Sequence, residues 1–290
     1  MRRAARAVAV PVAGLLVAGL LLTGCATGDG GSDATPVDVP SSDPVGLVGL
    51  WRVSGAEGES ERTWLRLADG SYQLWRDCAG FVEGGWEASS RAFVASEPYL
   101  ANGDCPVEPW PSVPWLAAAR AYRPANDVGG SGGWELLDAA GEALARLTVD
   151  GGPDPIPSTL PEYAEAPEIT DDLRASFAEP APLDAGLMPA SARHLAGRWV
   201  PATGARNGAY VELSADGSWS GSDGCNETRG AWGVDDGGRL LATSGISTAM
   251  ACDGAAVPYW LSAAARAGFA GPVLVLVDRD GTELARLLHG

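Results

Sequence analysis

"SDGCNETRGAW", Ser222 to Trp232, is the stretch whose reading decides the fold. It sets a cysteine and an asparagine beside a glycine, between "SWSGS" from Ser218 and "TRGAWGV" from Thr228, which both read as strands. Gly224 can take a positive φ and Asn226 can bond nearby backbone, so the residues between read as a turn. An altered copy, "RDCAGFVEGGW", lies far upstream at Arg76 to Trp86.

The rest of the chain repeats in the same order. "GLWRV" at Gly49 answers "GRWVP" at Gly197, and "LADGSYQLWRDCAG" at Leu67 answers "SADGSWSGSDGCNE" at Ser214. "GGWEA" at Gly84 answers "GAWGV" at Gly230, and "PWLAAARA" at Pro114 answers "YWLSAAARA" at Tyr259. "WELLDAAGEALARL" at Trp134 answers "LVLVDRDGTELARL" at Leu274. Matching blocks in one order indicate a tandem duplication, and the period is too long for a solenoid unit, so each copy is expected to be a domain.

The cysteines obey the same logic. Cys78 and Cys105 stand 27 residues apart, as do Cys225 and Cys252. Four cysteines allow three pairings, and only Cys78–Cys105 with Cys225–Cys252 closes a loop inside each copy. The rival reading, a zinc site built from the four thiolates, wants short Cys-x-x-Cys pairs, and the sequence has none.

In the second copy "GAYVELS" from Gly208 reads as a strand. "TRGAWGV" and "RLLATS" flank "DDGG", and "VLVLV" and "TELARLL" flank "DRDG", two hairpin signals. Between the hairpins "VPYWLSAAARA", Val257 to Ala267, reads as one short helix, with proline near its start and apolar residues at Trp260, Leu261, Ala264 and Ala265. The expected fold class is mainly β: two tandem small antiparallel β-barrels or half-barrels, each with one short helix packed on the sheet.

The N-terminus speaks to location. "MRRAARA" is basic, Val8 to Leu22 is an uninterrupted apolar run, and "LTGC" ends it at Cys25. This pattern describes a secretory signal. Its last four residues resemble a bacterial lipobox, which implies cleavage between Gly24 and Cys25 and a lipidated Cys25. Two or three acyl chains anchor a protein stably. The reading therefore places the chain at the cell membrane, lipid-anchored, on the extracytoplasmic side. That compartment is commonly oxidising and lets disulfides persist.

Residues 25–45 read as a Gly/Ser/Asp/Pro tether without structure. Residues 46–150 form the first domain and 192–290 the second. Between them, 151–191 is a linker whose prolines and acids forbid a long helix or a central strand. Only "TDDLRASFA", Thr170 to Ala178, reads as helix there, capped by Thr170. The chain has 20 Lys+Arg against 37 Asp+Glu, a formal charge of −17. Loss of Arg2, Arg3 and Arg6 with the signal makes it more negative. Such a surface repels phosphate backbones, which excludes nucleic acid as a partner.

The residues of the second copy resemble the META domain family, the HslJ-like proteins. The resemblance rests on "GRWV", "SADGSWSGSDGCNETRGAW", "STAMAC" (Ser247 to Cys252) and the closing "LVLVDRDGTELARL". The motif residues it singles out are Gly224, Cys225, Asn226, Thr248, Met250 and Cys252. The first copy is a degenerate relative: Ala79 answers Asn226, and "LANGDC" (Leu100 to Cys105) answers "STAMAC". The resemblance implies a small antiparallel barrel with a helix, often exported or lipidated, and links to envelope stress, antibiotic tolerance and secretion without a defined reaction. It also implies a similarity to secretion pilotins, whose cracked barrels hold apolar ligands.

Chemistry-bearing motifs are scarce. His194 and His289 have no cysteine or carboxylate at metal spacing, and no nucleophile elbow, zincin helix, P-loop or dinucleotide fingerprint occurs. Asp278-x-Asp280-Gly281-x-Glu283 resembles part of a calcium loop but is too short for one, and reads as a hairpin turn. No metal and no cofactor is expected. Trp51/Trp199, Trp86/Trp232 and Trp115/Trp260 recur in both copies and read as core. Trp64, Trp75 and Trp110 have no counterpart and are candidates for packing or for a binding surface. The repeated arginines Arg120/Arg266 and Arg146/Arg286 read as partners of carboxylates or helix carbonyls. The expectation is a non-enzymatic envelope interaction or stress-related module, monomeric, whose partner is an unknown envelope protein. The alternative is a carrier or sensor of a lipid or other apolar ligand held in the barrel near Trp115 or Trp260. A hydrolase has no nucleophile–base pair to rest on.

Overall fold

The computed structural model describes residues 41–125, 132–155, 160–203, 207–248, 250 and 253–290. The signal, Gly24, Cys25 and most of the expected tether lie outside them. No helix among the described residues is long and apolar enough to cross a membrane.

Alternating apolar residues and Gly/Asp turns build two antiparallel sheets. The first holds β1 Gly49–Ser54, β2 Trp64–Leu67, β3 Ser71–Arg76, β4 Gly80–Ala88, β5 Phe93–Ala95, β6 Leu100–Gly103, β7 Ala121–Pro124, β8 Gly133–Leu137 and β9 Ala143–Thr148. Helix α1, Pro114–Ala117, crosses between β6 and β7. The second sheet holds β10 Met188–Pro189, β11 Gly197–Pro201, β12 Tyr210–Leu213, β13 Ser218–Ser222, β14 Glu227–Val234, β15 Leu240–Ala242, β16 Arg266–Ala270, β17 Val273–Val277 and β18 Glu283–His289. Two helices precede its barrel strands, α2 Asp171–Phe177 and α3 Ala192–Leu195, and α4 Val257–Ala263 lies between β15 and β16.

The strand order is one order used twice. The first sheet runs β5-β4-β3-β2-β1-β9-β8-β7, with β6 added on β4. The second runs β15-β14-β13-β12-β11-β18-β17-β16, with β10 added on β16. Each sheet curls until its ends meet. The Phe93 amide donates to the Arg120 carbonyl at 2.9 Å, and the Leu240 amide to the Ala265 carbonyl at 3.0 Å.

Side-chain bonds repeat as well. The Trp51 indole donates to the Leu47 carbonyl at 2.8 Å, and Trp199 to Leu195 at 2.7 Å. The Tyr72 hydroxyl reaches the Ser96 carbonyl and the Trp219 indole the Thr243 carbonyl, both at 2.8 Å. The Ser96 hydroxyl accepts the Gly85 amide and the Thr243 hydroxyl the Ala231 amide. These buried polar tips are thus satisfied by the same device in both sheets, as burial requires. Each interior is filled by its own core, Leu65, Tyr72, Leu74, Trp86, Trp115 and Leu147 in the first, Val211, Trp219, Trp232, Leu261, Leu274 and Leu287 in the second.

Three local expectations differ from the structure. The helix expected over Val257–Ala267 stops at Ala263. Ala264 is extended, the Ala265 amide donates to the Val277 carbonyl at 2.9 Å, and Arg266 already opens β16. Strand pairing has overridden alanine's helix propensity.

The repeated arginines Arg120 and Arg266 are one residue out of register. Ala121 pairs with Leu137 where Arg266 pairs with Val277, so one extra alanine before Arg266 turns the two guanidiniums in different directions.

The linker carries the short helix expected of it, and that helix docks. Thr170 caps α2, its hydroxyl accepting the Leu173 amide at 3.2 Å, and Leu173 and Phe177 enter the first core. Glu179 pairs with Arg239 at 2.7 Å and Arg266 at 2.5 Å of the second sheet. Met188–Pro189 pairs as an edge strand, where proline is tolerated. The end of the expected tether is likewise folded: Asp43 caps a turn at Pro44–Leu47 that buries Val45 and Leu47.

Candidate functional site

The motif residues come together at the β13–β14 turn. Asp223 accepts the amides of Cys225 and Asn226 at 2.8 and 2.7 Å, and Gly224 sits at φ 101°, where a side chain would be strained. The Asn226 carboxamide is saturated. Its Nδ2 donates to the Asp223 carboxylate and to the Met250 carbonyl, both at 2.9 Å. Its Oδ1 accepts the Thr248 hydroxyl at 2.6 Å and the Met250 amide at 2.8 Å. A carboxamide offers four hydrogen-bonding places, and all four are taken, so Asn226 has nothing left for a ligand.

Met250 stands where Gly103 stands in the first copy, and there Gly103 pairs with Gly80 as strand β6 on β4. The Asn226 side chain thus acts as a substitute strand residue. Ala79, which replaces it in the first copy, sits at φ 49° in a shorter turn, and true strand pairing holds the segment instead. The cysteines brace the same segments: Cys78 is bonded to Cys105, and Cys225 is disulfide-bonded too. Cys252, the partner that the duplication assigns to it, lies outside the described residues. The Met250 side chain points away, 58% exposed.

Residues 191–289 match the META domain family. Comparisons with curated proteins and with solved structures gave no match. The match covers β11 to β18 of the second sheet, and β10 and the first sheet lie outside it.

The remaining candidates separate from one another. His194 and His289 are exposed and rest edge-on against Phe269 and Trp199. Asp278 accepts the amides of Asp280 and Thr282 at 3.0 and 2.8 Å, and Glu283 pairs with Arg286, so the calcium-like fragment is a capped hairpin turn. No group of three or more metal-ligating residues occurs among the described residues. Trp75 is buried against Phe81 with its indole N–H unpaired, and Trp64 lies under the Arg52 guanidinium. Trp115 is buried and its indole donates to the Glu59 carboxylate at 2.9 Å. Trp110 is the most exposed of the three unmatched tryptophans, at 49%.

Trp110 lines a groove that the sequence did not suggest. The two sheets touch along a narrow apolar seam, where Val94 of β5 meets Ala231 of β14 and Leu241 of β15. Gly233 lets Val94 approach, since a Cβ there would lie 2.9 Å from its methyl. Arg120 ties the same joint: it donates to the Ala117 and Ala119 carbonyls at 2.7 Å and to the Asp216 carbonyl in the second sheet.

To one side of this seam opens a groove of about 730 Å³, within the usual size range of ligand-holding clefts. Ser96–Tyr99, Trp110 and the outer side of α1 form one wall, and Ser218, Ser220, Arg229, Ala231 and Ile246 the other. Ile246 is 63% exposed. No histidine lines it. Its one serine–carboxylate pair, Ser218 with Asp216 at 2.7 Å, is a turn cap. The Ser218 hydroxyl and amide hold the Asp216 carboxyl below its ordinary range, the wrong direction for a general base. On the other side of the seam lies a smaller cavity of about 200 Å³ lined by Asp69, Glu87, Phe177, Arg239 and Arg279.

Proposed function

We propose that this chain is a lipid-anchored, extracytoplasmic, non-enzymatic interaction module made of two META-type domains, residues 46–150 and 192–290, and that the groove between their sheets is its contact surface. The first domain is a degenerate HslJ-like copy in this reading, supported by its identical strand order and matched side-chain bonds. Anchoring rests on the basic, apolar and Leu-Thr-Gly-Cys succession that ends at Cys25.

The observation that carries the reading is the contrast between filled barrels and an open groove. Trp115 and the side chains around it occupy the first interior, and Leu261 and its neighbours the second. A ligand held inside either barrel therefore has to displace core. Trp110 and Ile246 stay exposed in a groove of about 730 Å³ whose walls also carry Glu97, Arg120, Asp216 and Arg229. Exposed apolar side chains gathered in a concave surface mark an interaction site.

Site-specific photo-crosslinking in the producing cell tests it. A crosslinking side chain at Ile246 or Trp110 is expected to trap one discrete partner or ligand, and one at Leu160 or Tyr259, outside the groove, to trap none. Equal labelling from all four positions contradicts the proposal.

A further inference from the structure

We propose that the joint between the two sheets is tightened by acid and loosened at alkaline pH, with the Glu87 carboxylate as the sensing group. The placement of Glu87 carries the argument. It stands on β4 directly opposite Val94, the residue that makes the seam. On a sheet, directly paired residues share a face, so the Glu87 side chain projects from the first sheet toward the second and enters the smaller cavity. It makes no hydrogen bond or ion pair with any described residue.

The charged groups facing it come from each element packed there. Asp69 approaches from the β2–β3 turn, Arg239 from the β14–β15 turn and Arg279 from the β17–β18 turn. Both guanidiniums are already committed. Arg239 holds Glu179 at 2.7 Å and the Phe177 carbonyl at 3.4 Å. Arg279 holds the Ala178 carbonyl at 2.5 Å and also the Ser176 carbonyl. They clamp the end of α2 to the second sheet rather than neutralise Glu87.

A carboxylate held half-buried beside the seam without a donor is disfavoured against its protonated form. Burial first, and then the Asp69 charge, push the Glu87 carboxyl up to about 7, against the pull of Arg279 and Arg239. A group whose value rises on docking takes up a proton when the seam closes. Its stabilising effect is complete below the ordinary carboxylate range, falls as pH climbs from there to about 7, and stays flat above. Opening the seam returns Glu87 to water and removes the penalty. Because the groove lies on the far side of the same seam, its width follows the state of this one carboxyl.

The test compares the full mature chain with its Glu87→Gln variant in urea unfolding between about pH 5 and 8.5. The ratio of their unfolding constants is expected to shift several-fold per pH unit up to about 7 and then to level off, with the variant the more stable at pH 8. A ratio that does not change with pH overturns the proposal. Ala231→Arg or Leu241→Asp, either of which wedges the seam open, is expected to abolish the shift. If the shift persists in a folded wedge variant, Glu87 titrates inside the first sheet and the joint is not the sensor. Carbon-13 NMR of the Glu87 carboxyl in the unaltered chain gives a direct second reading: a midpoint near 7 is expected, and one in the ordinary carboxylate range overturns it.

Discussion

Replacing Asn226 by aspartate tests the role assigned to the META motif with almost no change of shape. Oδ1 keeps its two donors, the Thr248 hydroxyl and the Met250 amide. The other atom changes from donor to acceptor while it faces the Asp223 carboxylate and the Met250 carbonyl, each at 2.9 Å. Two hydrogen bonds are lost, worth about 1 kcal/mol apiece. A second carboxylate beside Asp223 adds repulsion of roughly 1–2 kcal/mol in a water-accessible setting.

Asn226→Asp should therefore cost about 3–4 kcal/mol at neutral pH. Asn226→Ala loses all four bonds without the repulsion and should cost about 2–3 kcal/mol, because the freed groups of the exposed segment can rehydrate. The two variants should converge as pH falls through the carboxylate range, since protonating either carboxyl removes the repulsion. Urea unfolding followed by tryptophan fluorescence gives the order, and hydrogen exchange at the Met250 amide gives the location. An aspartate variant as stable as the unaltered chain, or an unchanged Met250 exchange rate, refutes the idea that Asn226 stands in for a strand.

Other perturbations follow from the same contacts. Glu179→Gln leaves Arg239, only 6% exposed, without its carboxylate; because Glu179 is itself 61% exposed, a loss of about 1–2 kcal/mol and faster proteolysis of the linker are expected. Removing the Cys78–Cys105 bond, which closes a loop across 27 residues, should cost about 3–4 kcal/mol in urea unfolding under matched conditions. Phe177→Ala empties the space beside Trp86, 5.6 Å away ring to ring, and should cost about 3 kcal/mol while raising hydrogen exchange across α2.

The parts legible in the sequence are those whose pattern is local. "SWSGS", "TRGAWGV", "VLVLV" and "ELARLL" are short runs near Asp/Gly turns, and each is a strand within a residue or two of its expected place. The shared strand order was legible because matching blocks recur in one order, and Trp51 and Trp199 in those blocks make the same bond. The helix end and the Arg120/Arg266 register were not, because both depend on which carbonyl β17 or β8 presents to the next strand.

The linker helix was legible from its Thr170 cap, but its docking was not, because that depends on Phe177 entering the first core and on the arginines that receive Glu179. The groove left the faintest trace. Its second wall is the outward face of β13 and β14, where exposed Ser218 and Ser220 alternate with buried Trp219 and Gly221, and such a strand looks like ordinary half-solvated sheet. Only the unmatched Trp110 pointed toward it.

The account turns on the two sheets forming one body, because the groove, the seam and the Glu87 cavity all exist only while they do. Nitrogen-15 relaxation on the mature chain with Cys25 replaced by serine measures this directly. The account predicts one rotational correlation time shared by amides in β2 and β12, β8 and β17. Two distinct correlation times, one for each sheet, would mean that the copies swing on their linker and that the groove is not a standing feature of the protein.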